Sequence, residues 1–140
     1  MKHRYHCFVR KNTEYIREGL KNLGIPQNDF DNGDRPWIAF NHGMWISVDE
    51  GHDRLFPDDI DCGTNDDLFL AIAALRDDSD INQWFIYDSM DCVVPELRDF
   101  YWFKCEEDKI EDMMYYDAMY LCCKKATVEE LIEHFNHEKN

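Results

Sequence analysis

Three stretches of this chain share one grammar, and that grammar constrains the fold more than any other feature. They run from Cys7 to Ile16, from Cys62 to Leu68 and from Cys123 to Leu131. Each sets a cysteine at or near the close of an apolar or extended segment. A capping residue follows (Asn12, Thr64 or Thr127), then acids, then an apolar residue four positions after the cap. A cap side chain accepts hydrogen bonds from the free N–H groups of a helix's first turn, and acids there suit the positive end of the helix dipole. Thr127 with Glu130 forms a full capping box. The phrase therefore means that an extended segment ends and a helix begins, and its recurrence predicts a fold of repeated units.

A length of 140 residues suits a single domain. The chain is 44% hydrophobic and 14% aromatic, enough to build a core. Thirty acids against fifteen bases leave a formal charge of −15. Such a field repels nucleic-acid phosphates and anionic membranes and favours basic partners. No direct nucleic-acid contact and no membrane contact are expected. Met1-Lys-His-Arg-Tyr-His is followed by no apolar stretch, and the longest apolar run, Leu68 to Leu75, is far short of the ~20 residues that span a bilayer. A soluble cytoplasmic protein with free thiols is the expectation.

Along the chain, His3 to Arg10 reads as a strand. Asn12 then starts a helix with Ile16, Leu20 and Leu23 on one face, stopped by Gly24 and Pro26. Residues 27–35 read as a polar loop. Apolar runs at 36–40 and 44–48 around Asn41-His42-Gly43 signal a hairpin. After an acidic connection at 49–61, Thr64 starts the most apolar helix, expected to be central and buried. Residues 83–87 and 101–105 are aromatic strand candidates, 106–114 a short helix or turn, and Tyr116 to Cys123 a strand leading to a last helix from Val128. The fold class is α+β: an antiparallel sheet with helices on one face, built from strand-helix-hairpin units at about 1–50, 51–112 and 113–140. Leu68, Leu70, Ile72, Leu75, Ile16, Leu20, Leu131 and Phe135 should form the core.

No chemistry-bearing motif stands out. The six cysteines contain no Cys-x-x-Cys, and His134 with His137 at i, i+3 suits a solvated helix end better than a zinc site. Cysteines beside helix starts could be activated thiolates, but the nearby acids oppose thiolate formation and small buried hydrophobes suit such corners. Asp29 to Asp34 begins like a calcium loop, yet its glycine is misplaced and its twelfth position is Phe40. There is no nucleophile elbow, phosphate loop or metalloprotease motif. No catalytic residue, metal or cofactor is assigned, and the expectation is a non-enzymatic protein. Trp37, Trp45, Trp84-Phe85 and Tyr101-Trp102-Phe103 fall on strands whose neighbouring residues face opposite ways. Core packing, or an aromatic sheet face forming a homodimer, would each use them.

At Asp61 to Asp78, Gln83-Trp-Phe and Lys125 to Phe135 the chain resembles small acidic proteins of phages and mobile elements of gut Bacteroidales. The resemblance covers roughly the middle third and the last helix. It implies an intracellular accessory protein and supplies no catalytic residues. Together with the charge, it suggests a protein that occupies a basic, nucleic-acid-binding surface of a host protein, as a DNA mimic and inhibitor. The residues expected to carry that contact are Asp49, Glu50, Asp53, Asp58, Asp59, Asp61, Glu106, Glu107, Asp108, Glu111 and Asp112. Two alternatives stand beside it. One is capture of a nucleotide signal in an aromatic and polar pocket, if Arg10, Lys11, Arg17 and Lys21 gather. The other is a structural component that assembles as a homo-oligomer.

Overall fold

In the computed structural model, which describes residues 5–50, 59–88, 100–113 and 123–138, the element order follows the sequence pattern closely. It runs β1 (Cys7–Val9), α1 (Glu14–Asn22), β2 (Trp37–Asn41), β3 (Met44–Val48), β4 (Ile60–Asp61) and α2 (Asp66–Ala73). It continues with β5 (Trp84–Asp88), β6 (Phe100–Lys104), α3 (Ile110–Met113), β7 (Cys123–Lys125) and α4 (Val128–Glu138). The fold is α+β. Most of the strand expected from Tyr116 onward lies outside the described residues.

Helices begin where the three phrases place them, but two of the caps move by one residue. Thr13, not Asn12, caps α1, its hydroxyl accepting from the Ile16 amide. The Asn12 amide instead donates to the carbonyls of Gly33 (3.1 Å) and Arg35 (2.6 Å), tying the helix start to the 27–35 loop. Asn65, not Thr64, caps α2, with Oδ1 accepting from Leu68 N at 3.1 Å. Asparagine caps at least as well as threonine, so the adjacent residue wins. The third start is as expected: Thr127 Oγ1 accepts from Glu130 N, and Glu130 Oε1 accepts from Thr127 N. Asn65→Ala should therefore cost about 0.5–2 kcal/mol, against little for Thr64→Ala. Denaturant midpoints of the two variants measure this, and the reverse ranking would put the cap back at Thr64.

Two sheets replace the single sheet expected. The first has strand order β3-β2-β1-β4, and the second β6-β5-β7. Among the described strands all pairings are antiparallel except β1 with β4. The hairpin of β2 and β3 closes at His42 (φ 52°) and Gly43 (φ 77°). Positive φ at both central residues defines the turn that matches strand twist, and glycine adopts it without strain. The strand-helix-hairpin order yields one sheet only in the first half. In the second half β4 leaves its own hairpin and pairs in parallel with β1, fixed by Ile60 N donating to His6 O and Cys62 N to Phe8 O.

Alternation along the strands sorts side chains into one main core and two outer clusters. Cys7, Val9, Ile38, Phe40 and Trp45 of the first sheet join Ile86 of the second, together with α1, α2 and α4, in the main core. Phe8, Trp37, Ala39 and Val48 form a cluster on the opposite face of the first sheet. Phe85, Cys105 and Ile110 do so on the second, so α3 lies across that sheet from α4 and the helices do not share one face. Of the expected core residues, Leu70 is the exception and is only partly buried. Phe69 takes its place at 0% exposure. The sheet aromatics divide between buried and half-buried positions, with Trp84, Tyr87 and Phe103 half-buried on the second sheet. Trp37, Trp45 and Phe85 are buried, and the half-buried Trp102 stacks on His134 at 3.9 Å.

Candidate functional site

Of the acids expected between positions 49 and 61, Asp49, Glu50, Asp59 and Asp61 lie in the described residues. Asp49 and Glu50 are exposed just past β3, where Arg35 approaches Asp49 at 3.8 Å. Asp53 and Asp58 lie outside the described residues. Asp59 is buried at 4% exposure, facing His6 Nδ1 at 3.8 Å, with the His42 ring against His6. It therefore cannot meet a partner. Asp61 accepts from Arg10 through both carboxylate oxygens, at 2.6 and 3.2 Å, and from the Gly63 amide. The cause is β4: its pairing with β1 sends Asp59 inward and hands Asp61 to Arg10, whose guanidinium also lies over Trp37.

The second acidic stretch keeps its expected place and gains neighbours. Glu106, Glu107, Asp108, Glu111 and Asp112 are exposed. The α2–β5 connection joins them: Asp80 N donates to Asp108 O at 2.7 Å, Ser79 Oγ to the Asp108 carboxylate at 2.6 Å, and Ile110 N to the Asp80 carboxylate at 2.9 Å. These bonds bring Asp77, Asp78 and Asp80 beside residues 106–112 at one end of the second sheet. Arg76 is held by Asp78 and Lys125 by Asp80. The side chains of Glu106, Glu107, Glu111 and Asp112 make no hydrogen bond or ion pair with the described residues. Sequence reading undervalued Asp77 to Asp80. The signal was there in two Asp-rich turns flanking one strand pair.

Beside this acidic end opens a cleft of about 540 Å³. Its helical wall carries Tyr15, Glu18, Gly19, Asn22 and Leu23 of α1, a face at i, i+3, i+4, i+7 and i+8, with Asp67, Leu70 and Ala71 of α2. Asn82, Trp84, Lys104 and Phe135 complete it. Gly19 sets its depth, since a Cβ there would lie 2.6 Å from Leu70 Cδ1. The Tyr15 hydroxyl donates to Asp67 at 2.6 Å, and chiefly that bond, with some burial, pushes its pKa up to about 12. Lys104 Nζ lies 5.5 Å from the Trp84 ring centre, and the Phe135 ring packs edge-on to Trp84. The polar rim residues Tyr15, Glu18 and Asn22 lie off the apolar stripe of α1 that the sequence pattern picks out.

Three of the four cations on which nucleotide capture would depend are engaged within the chain. Arg10 pairs with Asp61, Lys11 with Asp66 at 3.3 Å, and Arg17 donates to Asn12. Cys7, Cys62, Cys105 and Cys123 are free thiols. Burial, reinforced by the neighbouring Cys62 thiol, drives Cys7 well above the usual thiol range, and burial also raises Cys105. Both pack within hydrophobic clusters, Cys7 in the main core and Cys105 with Phe85 and Ile110. Cys92 and Cys122 lie outside the described residues. Among the described residues no group of three or more His, Cys, Asp or Glu is placed to hold a metal ion, and no helix is long and apolar enough to cross a membrane. No family model, curated protein or solved structure matches the chain.

Proposed function

We propose that this chain is a non-enzymatic binding protein whose acidic end docks on the basic, nucleic-acid-binding surface of another protein, as a nucleic-acid mimic. The observation that carries the reading is the hydrogen-bonded union of residues 77–80 with 106–112. It sets eight carboxylates, Asp77, Asp78, Asp80, Glu106, Glu107, Asp108, Glu111 and Asp112, against Arg76, Lys109 and Lys125. Four of the eight project without a partner among the described residues, which leaves them available to cations from outside. Asp59 is buried and Asp61 is engaged by Arg10, so the proposed surface is built on residues 77–80 and 106–112 instead.

The test is association with a fluorescent arginine-rich peptide at rising ionic strength. Exposed charges are screened within about 8 Å at physiological salt, so affinity should fall steeply as salt is added. Changing Glu106, Glu107 and Glu111 to Gln and Asp112 to Asn should weaken binding roughly tenfold or more. The thermal midpoint should hold or rise, because like-charge repulsion is relieved. Neutralising Asp49 and Glu50 should change little. Equal losses from the two sets would reduce the effect to net charge and overturn the docking surface.

A further inference from the structure

We infer that the cleft beside the acidic end is the anchor site for this docking. It would receive an aromatic side chain of the basic partner that is flanked by an arginine or lysine. The inference rests on the proposed function and names what that partner must carry. Three observations converge on it.

The first is the chemistry of the lining. The floor is apolar, from Leu23, Leu70, Ala71 and Phe135 with the face of Trp84, and suits a ring that gains by leaving water. Tight interfaces concentrate their energy in a few such filled pockets, with charged contacts around them.

The second is charge. The helical wall presents Glu18 and Asp67, and neither Arg17 nor Lys21 of the same helix lines the cleft. Asp67 is oriented by the Tyr15 hydroxyl, and Tyr15 itself is 58% exposed at the rim, where its ring can lie under a cation. The one lining cation among the described residues, Lys104, stands on the opposite wall over Trp84. That asymmetry sets a direction. The partner's basic residue lies toward α1 and α2, and its ring lies between Leu70 and Trp84. Phosphates find a single lysine facing two carboxylates, which disfavours a nucleotide as the occupant.

The third is position. Asn82 and Lys104 line the cleft, and Asn82 N donates to the carbonyl of Cys105, the residue before Glu106. Asp80 precedes Asn82 by two positions. A basic segment lying on the acidic end thus passes the mouth of the cleft.

Two labelled peptides, Arg-Arg-Trp-Arg-Arg and Arg-Arg-Gly-Arg-Arg, test this by fluorescence polarisation against the full chain. The tryptophan peptide should bind ~10-fold or more tightly, as burial of one aromatic side chain gives. Asn22→Trp, which fills the cleft from an exposed rim position, should abolish that preference while salt-dependent binding of both peptides survives. Glu18→Lys should weaken the tryptophan peptide selectively. Circular dichroism melts show that both variants fold. Equal affinity of the wild-type chain for the two peptides would overturn the anchor and leave the acidic docking surface standing. Failure of both peptides to bind would overturn the two together. A preference that survives Asn22→Trp, or binding of a nucleoside monophosphate in place of either peptide, would also overturn the anchor.

Discussion

Phe69→Ala should lower stability by about 3–5 kcal/mol, the range for emptying the space of a buried phenylalanine. For a chain of this size that is a fall of roughly 10–15 °C in the thermal midpoint. Phe69 is fully buried in α2, the helix that packs against α1, α4 and β1. The main core it belongs to draws on both sheets and on α1, α2 and α4, so relaxation into the void is restrained. Ile72, also at 0% exposure, should cost about 2–5 kcal/mol on truncation to Ala. Leu70→Ala should cost less than either, since Leu70 is only partly buried and borders the cleft. Chemical denaturation of the three variants gives the ranking. A loss below ~0.5 kcal/mol at Phe69 would place α2 at the surface, in the range of ordinary surface substitutions.

Asp31→Ala is the second large effect, expected at about 1.5–3 kcal/mol. The Asp31 carboxylate accepts from Ser47 N and Ser47 Oγ, each at 2.6 Å, and from Gly33 N at 3.2 Å, closing the 27–35 loop onto β3. Ser47 is fully buried, so removing the carboxylate leaves its amide and hydroxyl short of an acceptor. Burial alone would push the Asp31 carboxyl up. The bonds from Ser47, Gly33 and Gln27 outweigh burial and hold it below the ordinary carboxylate value. The carboxylate's contribution is therefore fully present above the unfolded-state value of about 3.9 and is lost as pH falls through the lower folded-state value. The stability gap between wild type and Asp31→Asn should be constant near neutrality and shrink below about pH 4. A gap unchanged from pH 7 to pH 3 would remove Asp31 from the loop's support.

Much of this fold is legible in local chemistry, because caps, turns and periodicity act over a few residues. The three helix starts, the hairpin at His42-Gly43 and the buried positions Ile16, Leu20 and Leu131 all follow from short-range rules. What stayed hidden is non-local. Ile60–Asp61 makes only a two-residue strand, too short to leave an alternating pattern, yet it decides which sheet the second unit joins and buries Asp59. The cap shift at Thr13 has the same character, since Asn12 is claimed by carbonyls more than twenty positions away, whereas the shift to Asn65 is a local preference. The loop at 29–34, a failed calcium site in sequence, turns out to use its aspartate as a backbone clamp. As for the candidate site, acids at 106–112 were readable from composition. Their union with 77–80 depends on strand pairing that no local window contains.

The parallel pairing of β1 with β4 has a consequence for the order in which the molecule assembles. The β2–β3 hairpin and its pairing with β1 need only the first fifty residues or so. The far edge of β1 keeps its backbone groups unpaired until residues 60–63 reach it. During synthesis that edge is an open strand of buried-type residues, Cys7, Phe8 and Val9, and such edges recruit other chains. The two-residue β4 works as a late latch. Its docking covers that edge with backbone pairing from residues 60–63.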